Sequence, residues 1–84
     1  MIDGRSGAQA LEVGKVYRTV LVDREFGVSD EGNCRVLATH PVRTEWDIDS
    51  VFTTRGSFGL AYGDTWRRLF YPVPDYVQSV GRGI

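Results

Sequence analysis

Apolar and polar residues alternate with a period of two over most of the chain between Lys15 and Tyr71. That spacing belongs to extended strands with one packed and one wet side. Residues 15–23 show it most plainly. Val16, Arg18, Val20 and Val22 share one side, and Tyr17, Thr19 and Leu21 share the other. β-Branched and aromatic side chains suit a pleated surface. Apolar groups on both sides predict a central strand, covered on both faces for part of its length.

Residues 25–29 predict a second, short strand with Phe26 and Val28 on one side. The tetrapeptide Asp30-Glu31-Gly32-Asn33 has turn chemistry, because Asp bonds its local backbone and Gly and Asn tolerate positive φ. Residues 34–39 then place Cys34, Val36 and Ala38 together, so residues 25–39 are expected to form a hairpin. His40-Pro41 ends that strand, since proline removes a ladder donor. In residues 44–54, Trp46 and Ile48 alternate with Glu45, Asp47 and Asp49, and the phase then slips toward Val51 or Phe52. Such a slip predicts a bulge or bend near Ser50.

Residues 55–57 form a tight connection into residues 58–62, where Phe58, Leu60 and Tyr62 share a side. After Gly63-Asp64 comes the stretch 66–71, with Trp66, Arg68 and Phe70 on one face and Arg67, Leu69 and Tyr71 on the other. Pro72 and Pro74 close the regular pattern. Residues 75–80 fit either a last strand or a helical turn.

Apolar spacing near 3.6 is sustained nowhere over ten residues, so no long helix is expected. The predicted fold is all-β or mainly β: a small five- to six-stranded antiparallel barrel or strongly bent sheet, of the size of SH3-like barrels. Residues 1–13 are expected to be a flexible arm with at most one helical turn around Ala8, Ala10 and Leu11. Residues 14–80 form the one domain that 84 residues can support, and residues 81–84 fray.

Charge does not call for a nucleic-acid binder, although a local basic patch stays open. Ten basic and eleven acidic side chains leave a formal charge of -1, spread evenly over both halves, whereas nucleic-acid domains usually carry a basic excess. One cysteine allows no internal disulfide, which suits a reducing, cytoplasmic setting. No apolar stretch approaches the ~18 residues of a membrane span, and no secretory leader is expected.

Few residues carry candidate chemistry. Glu45, Asp47 and Asp49 would form an acidic stripe, suited to a basic partner or to mimicry of phosphates. Trp66-Arg67-Arg68 with Tyr71 combines the residue types that dominate protein hot spots and stack on nucleic-acid bases. Cys34 shares parity with core residues and reads as a buried thiol, not a nucleophile. One Cys and one His cannot make a structural zinc site. The glycines at 56, 59 and 63 lack the lysine and hydroxyl of a phosphate loop.

These residues predict no catalysis, cofactor or metal. They point to a non-enzymatic protein-binding module, an inhibitor or adaptor, working through the aromatic/Arg surface or the acidic face. Open sheet edges make a homodimer a second form of that expectation. The alternative is a small β-barrel that binds RNA or single-stranded DNA; no membrane partner is expected.

Overall fold

Strand-forming alternation becomes a single antiparallel sheet in the computed structural model, which describes residues 1–40 and 48–74. Seven strands are present among these residues: β1 (Ile2–Asp3), β2 (Val16–Asp23), β3 (Gly27–His40), β4 (Ser50–Thr53), β5 (Gly56–Gly59), β6 (Ala61–Tyr62) and β7 (Trp66–Pro72). Their order is β1-β7-β2-β3-β4-β5, with β6 paired to β7. The all-β expectation holds.

The barrel does not. No ladder closes the two ends of the sheet among the described residues. The sheet nevertheless bends back on itself. Leu60, just after β5, accepts a backbone hydrogen bond from Arg68 of β7 at 2.9 Å, although three strands separate β5 from β7.

The bend centres on β3, fourteen residues long and shared by two ladders. Its first half pairs with β2, and its second half pairs with β4. The predicted turn at residues 30–33 lies inside this strand. The hairpin instead turns at residues 24–26, between the paired Asp23 and Gly27. Thr19 pairs with Gly32 and Val20 with Asp30, so Glu31 is the extra residue of a bulge. Gly32 has φ +81°, the conformation that made its neighbourhood resemble a turn.

Turn chemistry explains the true hairpin. The Asp23 carboxylate accepts the backbone N–H groups of Glu25 (2.8 Å) and Phe26 (2.9 Å), and Gly27 supplies a positive φ. A three-residue connection followed by such a glycine is a common strand link.

Packing concentrates on one side of the sheet. Tyr17, Val36, Val51, Leu60 and Phe70 are fully buried, and the Tyr17 and Phe70 rings meet edge to face at 6.0 Å. Tyr17 and Thr19 are the buried residues of β2, on the side that alternation gives to Tyr17, Thr19 and Leu21. In β4 the phase resolves in favour of Val51, with Phe52 half exposed.

Residues 1–13, expected to be a loose arm, are built into the molecule. Ile2 and Asp3 pair with Phe70 and Leu69, and Ala8 and Leu11 belong to the buried core. Short 3₁₀ turns at Gly4–Ser6 and Ala8–Ala10 connect them. Gly4 is the residue that permits this approach. A Cβ there would lie 2.1 Å from the Leu60 carbonyl oxygen.

Candidate functional site

Arg68 sits on the packed side of β7, as its parity with Trp66 and Phe70 predicts. Its guanidinium is fully engaged within the chain. Nε donates to Glu31 Oε1 at 2.7 Å and Nη2 to Glu31 Oε2 at 3.1 Å, while Nη1 donates to the Gly59 carbonyl at 2.5 Å. It also lies over the rings of Phe58 (4.6 Å) and Trp66 (5.4 Å). The bulge aims Glu31 at this position. One side chain thus ties β7, β3 and β5 together where the sheet stays open, and the bidentate geometry is the strong form of such a pair.

A second arginine covers a sheet edge. Beyond Arg35 toward its N-terminus, β3 has no strand on the side away from β2 among the described residues. Arg55, from the β4–β5 turn, donates to the carbonyl of Glu31 at 3.0 Å and reaches that of Asn33 at 3.5 Å. The carbonyls of residues 31 and 33 are thereby taken up by a side chain.

Arg67 and Tyr71 lie on the other face of β7, opposite Val22 and Arg18 of β2. Arg67 Nε is 3.2 Å from Asp3 Oδ2, yet off the line of a hydrogen bond, and that buried nitrogen has no hydrogen-bond partner. Asp3 also receives Arg5, whose Nη2 lies at 3.0 Å. Burial alone would push the Asp3 carboxyl upward. Hydrogen bonds from the Arg5 side chain and backbone, with the charges of Arg5 and Arg67, outweigh it and hold Asp3 below the usual carboxylate range. Tyr71 remains exposed.

Of the acidic stripe, Glu45 and Asp47 lie outside the described residues. Asp49 has an internal role: its Oδ2 accepts the Ala8 N–H at 2.9 Å and fastens the N-terminal turns to the start of β4. A cavity of about 490 Å³ opens beside it, with Arg5, Leu60 and Ala61 in its walls. The charged groups there already serve neighbours within the chain. No cluster of three or more His, Cys, Asp or Glu that could hold a metal occurs among the described residues.

Cys34 is buried against the core. Desolvation pushes its thiol upward, against a lowering contribution from a hydrogen bond with Thr53. That is the environment of an inert thiol. His40 is exposed at the end of β3.

Among the described residues, the most exposed large apolar groups lie elsewhere. Phe26, at the tip of the β2–β3 hairpin, is 84% exposed, and Val28 is 73% exposed. Val28 pairs with the half-buried Val22, so the hairpin presents an apolar strip on the face that carries Arg67. Alternation places Phe26 and Val28 together but not at a tip. Moving the turn from residues 30–33 to residues 24–26 exposes them.

Compared with known proteins, the chain matches no protein family, no curated protein and no solved structure. No helix among the described residues is long and apolar enough to cross a membrane.

Proposed function

We propose that this chain is a non-enzymatic protein-binding module, an inhibitor or adaptor, that docks through the β2–β3 hairpin. The observation that carries this reading is the exposure of Phe26 and Val28 on a turn held by Asp23. A large apolar side chain raised on a fixed turn loses little freedom on binding, which favours affinity. Aromatic residues in such positions commonly anchor an interface. Tyr71 and Arg67 extend the same face along β7.

The interaction thus moves from the aromatic/Arg segment as a whole to the hairpin. Arg68 is engaged with Glu31 and Gly59, so it contributes to the fold rather than to a partner. The same fact weakens the nucleic-acid alternative, because Arg68 already donates to Glu31 and Gly59. A reducing, cytoplasmic setting fits a single buried thiol.

The test is a photoreactive phenylalanine analogue at position 26, compared with the same analogue at the exposed polar position Gln9, in the cell that makes the protein. One reproducible protein adduct at position 26, missing at Gln9, is expected. An adduct of twice the chain's own mass would identify the partner as a second copy. Equal labelling at both positions, or none at either, removes the hairpin as a docking element.

A further inference from the structure

Beside the apolar strip, the end of β2 and the turn before β7 enclose a cavity of about 250 Å³. Three arginines line it: Arg5 from the N-terminal turn, Arg24 from the hairpin and Arg67 from β7. They come from three separate parts of the chain and are held there by backbone contacts. Arg24 N–H donates to the Thr65 carbonyl at 2.8 Å, and Val22 pairs with Arg67.

Like charges do not gather without compensation, so the counter-ions decide what the cavity lacks. Asp3 compensates Arg5 and Arg67. Asp64 is the one acidic residue in the wall among the described residues. Arg24's guanidinium has neither ion pair nor hydrogen bond among the described residues, and the Arg67 Nε makes no hydrogen bond there either. The Arg67 Nε is buried beside Asp3, so the Arg24 guanidinium is the group left available at a hollow smaller than the ~300–1,000 Å³ of sites that enclose whole small molecules. It has room for a group rather than for a cofactor.

We infer that the Arg5–Arg24–Arg67 cavity binds a phosphate monoester, carried as a phosphorylated side chain on the protein that covers the hairpin. Guanidinium forks match the oxygens of a phosphate, and a tetrahedral group can accept from three directions at once. A nucleic-acid strand fits less well. Its backbone continues past each phosphate and requires basic residues along a groove. Here Asp3, Asp23, Glu25 and Asp64 surround the arginines in sequence or in space and would repel the neighbouring phosphates. Val22 lines the cavity and pairs with Val28, so one partner segment can seat its phosphate and an apolar residue side by side.

The inference rests on the hairpin reading for the identity of the carrier, but the site can be tested without it. Inorganic phosphate, O-phosphoserine and an oligothymidylate are titrated at constant ionic strength, following arginine Nε–H and backbone amide resonances. Saturable shifts confined to Arg5 and to residues 22–24 and 63–67 are expected with phosphate and phosphoserine. R24Q should weaken them about tenfold, as the loss of one charge-assisted contact would, and D64N should strengthen them. Both substitutions are at exposed positions and leave the core intact. Shifts reproduced by chloride, unchanged by R24Q, or absent would overturn the site. Tighter binding of the oligothymidylate than of phosphoserine would overturn the monoester. None of these probes requires Phe26, so failure here leaves the docking test standing on its own.

Discussion

Removing the Arg68 side chain tests how an unclosed sheet holds its shape. Arg68→Ala strips Glu31 of both its hydrogen-bond donors and leaves the Gly59 carbonyl without its side-chain donor. The two side chains are only 14% and 22% exposed, so water replaces the lost partner poorly. Breaking a buried pair on one side costs about 3–5 kcal/mol. The residual exposure here brings the expectation to the lower end, about 3 kcal/mol. A domain of this length has roughly 4–13 kcal/mol in total, so the variant would be markedly weakened. In urea, with a slope of about 1 kcal/mol per molar, the midpoint should fall by about 3 M. Glu31→Gln keeps an acceptor for Arg68 and should cost only about 1–2 kcal/mol. The double replacement R68M/E31L exchanges the pair for apolar volume and should recover most of the loss, all but about 1 kcal/mol. A cost below about 1 kcal/mol for R68A, or a double variant no better than R68A alone, would refute the reasoning.

Two further outcomes follow from the N-terminal segment. Gly4→Ala places a Cβ against the Leu60 carbonyl and should cost at least about 1–3 kcal/mol by thermal or urea unfolding, although alanine is usually the easiest replacement; a neutral result would mean the segment does not pack there. Asp3 titrates below an ordinary aspartate in the folded protein, so its contribution to stability is present above the unfolded value and is lost as pH falls through the folded one. Asp3→Asn should therefore destabilise the protein more at neutral pH than in strong acid, read from urea midpoints at both; an equal loss in the two conditions would sever Asp3 from the pH response.

Alternation made β2 and β7 legible as strands, and it grouped Thr19 with Tyr17 and Phe70 with Arg68 on the sides they share, although Leu69 is buried on the opposite face of β7. It failed at residues 30–33 for a definite reason. A bulge and a turn both require residues that tolerate unusual φ, and Gly32 satisfies either. That one substitution of meaning hid the partner of Arg68, since a glutamate assigned to a turn is not sought in a sheet 37 residues away. The glycines of residues 1–14 misled in the opposite direction. Read as looseness, Gly4 in fact permits close backbone contact, and composition cannot separate these uses. Asp49 was grouped with Glu45 and Asp47 by spacing alone, whereas its hydrogen bond to Ala8 depends on a contact spanning 41 positions. The Arg5–Arg24–Arg67 cavity has no local signal at all, because its three members meet only through the sheet order.

The pairing of Ile2 with Phe70 sets a timetable for biosynthesis. At about 5–20 residues per second, β7 follows β1 from the ribosome by roughly 3–14 s. During that interval the hairpin between β2 and β3 has its own neighbour at hand, while Ile2, Ala8 and Leu11 await strands not yet made. Docking of the segment around Ile2 therefore waits on β7, and a nascent chain halted before Phe70 would leave that segment as ready bait for a chaperone.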